Sequence, residues 1–121
     1  MIVRCDVGQF PLSRHPAYGH QVGIAVPLLA PDDQGLPLPP ELEMLERLEE
    51  DIVMTMCRDS TSVLVAVVTT SGMREFVLYT RSSESVKAHH VTIAQRYPTH
   101  DIQLLIQPDP DWQVFEMLAT D

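Results

Sequence analysis

Apolar residues recur along this chain with two periods, and the switches between them mark its elements. The longest apolar stretch, Ser62 to Thr80, reads SVLVAVVTTSGMREFVLYT. Val63, Leu64, Val65, Val67 and Val68 precede Ser71-Gly72, and Phe76, Val77, Leu78 and Tyr79 follow it. Glycine takes positive φ at little steric cost, so two β-prone runs around this pair predict a hairpin with a two-residue loop. Thr70 then pairs with Met73, Val68 with Glu75, Val67 with Phe76, and Val65 with Leu78. Side chains alternate faces along a strand. One face therefore carries Val63, Val65, Val67, Phe76 and Leu78, and the other carries Leu64, Ala66, Val68, Glu75, Val77 and Tyr79. Both faces are apolar, whereas a half-buried hairpin shows polar residues on one side. The second face needs a cover: another segment of the chain, a partner or a ligand.

The remaining elements follow the same logic. Ile2 to Val7 reads as a short strand ended by Gly8, and Gln9 to Gly19 as a loop holding Pro11 and Pro16. In His20 to Val26, Val22, Ile24 and Val26 alternate with Gly23 and Ala25, whose small face permits close approach. Ala30 to Pro40 is Pro-rich and linker-like. Pro39-Pro40 opens a helix to about Cys57, with Leu45, Leu48, Ile52 and Met56 at helical spacing. A serine among Ser82, Ser83 and Ser85 caps a second helix, 83–97, whose buried stripe is Val86, His90, Ile93, Ala94 and Tyr97. Ile102, Leu104 and Ile106 point inward from a last strand, 101–107. Asp109-Pro110 starts a short helix carrying Trp112, Phe115 and Leu118.

From His20 onward the order is βαββαβ. This predicts an α+β, ferredoxin-like sandwich with an extra N-terminal strand and a short C-terminal helix. Residues 1–121 read as one domain: strand and loop 1–19, core 20–107, and terminal helix 108–121. Right-handed crossovers place both long helices on one side of an antiparallel sheet. Strands 20–26 and 73–80 are expected at its centre. Strands 62–70 and 101–107 are expected at the edges, with the apolar 62–70 covered by Ile2 to Val7 or by another copy of the chain.

Charge narrows the choice of partner. The 121 residues hold 8 Lys and Arg against 17 Asp and Glu, a net charge of −9. That balance repels phosphate backbones and argues against nucleic acid. The acids are densest from Glu41 to Asp51, where they read as a solvated helix face. Two cysteines, Cys5 and Cys57, with no apolar leader at the start, read as a reduced cytoplasmic protein. No apolar run is long enough to span a bilayer, so no membrane partner is expected.

At this level of detail the sequence resembles a known family. TTSGMREFVLYT, a following helix, and then RYPTHDIQLLIQPDPDW are similar to the uncharacterised bacterial domain-of-unknown-function family 695. The shared features are a T-x-x-G-x-R-E-F-x-x-Y hairpin and a D-P-[DE]-W close. Here they are Thr69, Gly72, Arg74, Glu75, Phe76 and Tyr79, then Asp109, Pro110, Asp111 and Trp112. The resemblance covers most of the chain. It implies a compact α+β domain and supplies no activity. Some relatives are fused to a domain resembling the regulator of ribonuclease activity B, which implies a regulatory role.

Candidate chemistry is sparse. Arg74 and Glu75 are strand neighbours and point to opposite faces. Glu75 on an apolar face invites a raised pKa, and the competing reading is a solvated carboxylate near the hairpin tip. His15, His20, His89, His90 and His100 lack metal-ligand spacing, and adjacent His89-His90 diverge on a helix. No metal and no cofactor are expected. Cys5 and Cys57 lack a neighbouring base and read as small buried thiols. The leading expectation is a non-enzymatic protein-interaction or regulatory module. Its surface is Leu64, Ala66, Val68, Glu75, Val77 and Tyr79, the strand 62–70 edge, or both. A homodimer through that surface follows from its apolar character. The alternative is a small ligand-binding domain or enzyme, with Arg74, Glu75 and Tyr79 near a pocket and Trp112 as a platform.

Overall fold

The computed structural model describes residues 1–5 and 15–119. Residues 6–14, which include the expected end of the first strand and most of the following loop, lie outside the described residues, as do 120–121. The fold is α+β, and the described residues form a five-stranded antiparallel sheet and three α-helices. In chain order the elements are β1 (Ile2–Cys5), β2 (His20–Pro27), α1 (Pro39–Met56), β3 (Ser62–Thr70), β4 (Met73–Thr80), α2 (Ser83–Arg96), β5 (Gln103–Pro108) and α3 (Gln113–Ala119). The strand order is β1-β3-β4-β2-β5, and each neighbouring pair is antiparallel. The central strands are thus β3, β4 and β2. β1 lies against Ala66–Thr69 of β3 and covers part of the apolar strand that would otherwise be an edge.

Local chemistry explains the boundaries. Pro39 and Pro40 begin α1, where their missing N–H groups have no helical partner to lose. Leu45, Leu48, Ile52 and Met56 form its buried stripe. Ser82 caps α2, its hydroxyl accepting from the Ser85 N–H at 3.1 Å. The hairpin turns at Ser71 and Gly72, both at positive φ (42° and 84°), as the two-residue loop requires.

The expected pairings Thr70–Met73, Val68–Glu75 and Val67–Phe76 are present. Beyond them the register shifts. Leu64 pairs with Leu78 and Ala66 with Val77, so a β-bulge lies between Leu64 and Ala66. One extra residue reverses the alternation of everything before it. Leu64 therefore packs with the helix-side core, and Val63 and Val65 turn to the other face, opposite to the sequence expectation for all three.

Two cores result. On one side of the sheet, α1 and α2 pack over Val22, Ile24, Val26, Phe76 and Leu78. On the other, Trp112, Phe115 and Tyr18 pack over Val65, Ala66, Val68, Val77 and Tyr79. Among the described residues, no helix is long and apolar enough to cross a membrane.

The β2–α1 connection clasps the hairpin tip. The Gly72 N–H donates to the Gly35 carbonyl at 3.0 Å, and the Leu28 N–H donates to the Gly72 carbonyl at 2.8 Å. Gly35 has φ +79°, and a Cβ there would stand 2.9 Å from the Ser71 Cα and 3.0 Å from the Gly72 nitrogen. Both obstacles are backbone, so neither can swing aside. Gly35→Ala is expected to lose about 1–3 kcal/mol, through positive-φ strain and this clash. Urea unfolding measures it, and an unchanged midpoint would refute the clasp.

Candidate functional site

Among the described residues, the apolar cover of the second sheet face stops at β4. Antiparallel pairing aligns its side chains in rows: Ala66, Val77, Gly23 and Leu105; then Val68, Glu75, Ala25 and Gln103; then Val63, Tyr79, Gln21 and Gln107. α3 lies against β1 and β3, and its apolar cluster reaches only as far as Val77 and Tyr79. On β2, Gln21 and Gly23 are buried and Ala25 is half-buried, while Gln103, Leu105 and Gln107 of β5 are exposed, Leu105 to 59%.

This arrangement corrects the expected interaction surface. Ala66, Val68, Val77 and Tyr79 are buried within the chain, beneath Trp112 and Phe115. Leu64 belongs to the opposite core because of the bulge. The strand 62–70 edge is paired with β1 over Ala66–Thr69. Of the six residues, Glu75 alone stands half-exposed on the second face, at the border of the cover.

Tyr79 and Trp112 are structural. Their rings stack at 4.0 Å between centroids, and Phe115 meets the indole edge-on at 5.6 Å. The Tyr79 hydroxyl donates to Asp109 Oδ2 at 2.7 Å and accepts from the Phe115 N–H at 3.2 Å. Burial, followed by the hydrogen bond to Asp109, raises the phenol far above its usual range. Asp109 also accepts from the N–H groups of Gln113 and Val114, at 2.9 and 3.1 Å, and so caps α3.

Arg74 and Glu75 do not converge. The Arg74 side chain lies on the helix side of the sheet, near Glu49 of α1, and its Nε donates to Thr69 Oγ1 of β3 at 3.2 Å. Burial lowers its pKa, while Glu49 opposes that shift. Glu75 takes the other face. Its Oε2 lies 2.9 Å from where a Cβ on Gly23 would sit, so the carboxylate rests over the glycine of the neighbouring strand. Burial alone raises the Glu75 pKa, and no hydrogen bond or ion pair holds its carboxylate among the described residues. Beside it, Gln21 is buried and accepts at Oε1 from Gln107 Nε2 at 2.8 Å. The site offers one acid able to donate or accept, without a nucleophile or second acid in its row.

The raised pKa fixes a sign. The folded value lies above the unfolded one, so the stabilising contribution of Glu75 is fully present below about 4.3 and is lost as pH rises through the folded value. Glu75→Gln is therefore expected to raise the melting temperature at pH 7, with the gain shrinking toward pH 4. Calorimetry across that range checks it. A variant less stable than wild type at pH 7 would mean that the carboxylate has a partner.

The other titratable groups have structural explanations. Cys5 and Cys57 both line a cleft of about 540 Å³ between β1, β3 and α1. Burial pushes the Cys57 thiol up to about 11, so it is no nucleophile at neutral pH. His90 Nε2 lies 2.7 Å from the Ile102 carbonyl, tying α2 to the start of β5. His100 Nε2 meets Glu41 Oε2 at 2.6 Å in a nearly buried pair that was not evident from the sequence. Burial would raise the Glu41 carboxyl, but the Leu29 N–H and His100 hold it below its usual value. Among the described residues, no three His, Cys, Asp or Glu side chains cluster to hold a metal.

The hairpin motif is now legible. Thr69 receives Arg74, Gly72 makes the turn, Phe76 fills the helix-side core, and Tyr79 carries Asp109 and Trp112. Glu75 is the motif residue whose charged group is left over. No curated protein and no solved structure matches the chain. The sequence profile of DUF695, described as a family of unknown function, matches residues 1–119, and the chain therefore belongs to that family.

Proposed function

We propose that this chain is a non-enzymatic protein-interaction or regulatory module, built on a ferredoxin-like core and working in the cytoplasm. The order β3-β4-β2-β5, with α1 and α2 packed in one core, supports that topology. Free Cys5 and Cys57 accord with a reducing compartment. The working surface is the exposed second-face side of β5, Gln103, Leu105 and Gln107, together with the outer edge of that strand. One observation carries the reading: Leu105 is 59% exposed in a strand with no neighbour on its outer side among the described residues. The net charge of −9 favours a protein over a nucleic acid as partner.

A photo-crosslinking residue at position 105, compared with one at the exposed Met54 on α1, tests this in the native host. A discrete adduct from position 105 and none from 54 is the expected result. No adduct from 105, or equal labelling from both, defeats the reading. The unpaired carboxyl of Glu75 supports a second reading, a small ligand-binding domain or enzyme. In that reading Glu75 acts with Gln21 and Gln107, because Arg74 faces α1 and Tyr79 is held by Asp109.

A further inference from the structure

We infer that the partner of this surface is a second copy of the chain, joined β5 to β5 in antiparallel register about a two-fold axis through Leu105. The inference rests on the interaction reading above and names its occupant.

The sequence of the edge carries it. Residues 103–107 read Gln-Leu-Leu-Ile-Gln, which is nearly the same in both directions. A two-fold centred on Leu105 sets Gln103 opposite the partner's Gln107, Leu104 opposite the partner's Ile106, and Leu105 opposite the partner's Leu105. Residues directly opposite in such a pair stand about 4.5–5.5 Å apart at Cβ, so each meets a side chain of its own kind. A strand matched to itself in this way suits an isologous interface, in which one patch serves both copies.

The alternation of faces fits as well. Leu105 and the two glutamines lie on the open face, while Leu104 and Ile106 are half-buried on the helix side. There they line a shallow groove with Ser83 and Lys87 of α2, which the partner's strand would extend. Gln107 donates one N–H to Gln21, and Gln103 donates one to Asp101 at 2.8 Å. Each amide keeps a second N–H and its carbonyl for the glutamine across the axis.

Charge favours self-pairing over a basic partner. β5 contains no ionisable side chain, although the chain carries −9 overall. A cationic partner would gain more from the acids of α1 than from this strip. Open uncharged edges are aggregation-prone, and pairing about a two-fold removes both edges together. The rest of the two acidic chains still repels, and Asp101 and Asp109 flank the strand. The dimer is thus expected to tighten as salt rises, opposite to an acid–base complex.

Sedimentation velocity on the full chain across the micromolar range tests the proposal, at low and high salt. The wild type is expected to dimerise more tightly at high salt. Leu105→Lys and Leu105→Glu each place like charges across the axis and should each weaken association about tenfold or more. At concentrations where the wild type is monomeric, their melting temperatures should stay near wild type, because position 105 is exposed in the single chain. An equimolar mixture of the two variants should recover the dimer, since only a register centred on 105 sets Lys against Glu. A monomeric wild type, variants that dimerise like wild type, or a mixture that fails to recover would each overturn the proposal. Hydrogen exchange separates its failure from that of the interaction reading. Fast exchange of the outward-pointing β5 amides, those not bonded to β2, in a monomeric wild type leaves the edge open to another protein, whereas slow exchange of those amides shows it already covered and sinks both.

Discussion

Phe76→Asp is expected to leave no soluble folded protein. Phe76 lies on β4 between Val67 of β3 and Ile24 of β2, and none of its side chain reaches solvent. Leu45, Leu48 and Ile52 of α1 belong to the same cluster. Losing the ring alone costs about 3–5 kcal/mol through the cavity it leaves. An unpaired carboxylate in its place adds several more, unless it takes up a proton. The sum consumes most or all of a stability of about 5–15 kcal/mol. Val67→Asp should act in the same direction more weakly, because Val67 is slightly exposed and its carboxylate could lean toward water. Leu105→Asp is the control, placing the same charge on an exposed strand position. Soluble yield and a circular-dichroism melt decide the matter. A soluble Phe76→Asp protein that melts cooperatively would mean that this face is not the core.

The hairpin tip could be read from sequence because its determinants are local. Gly72 permits the turn, and the turn fixes the pairing of the next few residues. The reading failed at Val65, where the bulge begins. A bulge shows in a pattern when it moves a polar residue to the wrong face. Val63 to Val68 has no polar residue to move, so either alternation places apolar groups on both faces and the sequence cannot choose between them. Val63, Leu64 and Val65 therefore lie on the faces opposite to those that unbroken alternation predicts.

The cover of the second face was undercounted for a different reason. In the sequence, Trp112 and Phe115 mark only one short helix as a cover for that face. Tyr18, in a segment without periodic pattern, supplies another buried ring, and its hydroxyl donates to the Ser60 carbonyl at 2.6 Å. Nothing local announces such a contact across 42 positions. Glu75 was legible as an acid on an apolar face. Its seat over Gly23 needs the β2–β4 register, although a glycine inside a strand already hints at a close approach. The β5 edge is legible from the βαββαβ order, whereas the exposure of Leu105 on it is not, because its three apolar residues read as one more half-buried strand.

Trp112→Ala is expected to cost about 3–5 kcal/mol and to do so without dismantling the helix-side core. The indole does four things at once. It stacks on Tyr79, meets Phe115 edge-on, donates from Nε1 to the Tyr18 carbonyl at 2.9 Å, and fills the centre of the cluster that holds Val65, Val68 and Val77. Its backbone sits at φ +55°, a region that alanine shares without relief, so the substitution recovers no strain. The damage is confined to one side because the two cores share only the sheet between them. The variant should keep much of its helical circular dichroism, melt at a lower temperature, and bind a hydrophobic dye through the uncovered Val65, Val68 and Val77. Tyr79→Phe is the graded companion. It keeps the stack and removes the hydroxyl that links Asp109 Oδ2 to the Phe115 N–H, for about 1.5–3 kcal/mol, the range for a hydrogen bond to a charged acceptor. Trp112 is the sole tryptophan, so in Tyr79→Phe its fluorescence follows the docking of α3 directly. If Trp112→Ala melts with wild type and binds no dye, α3 is not what closes this face. Association through the buried surface of Ala66, Val68 and Val77 would then be open again.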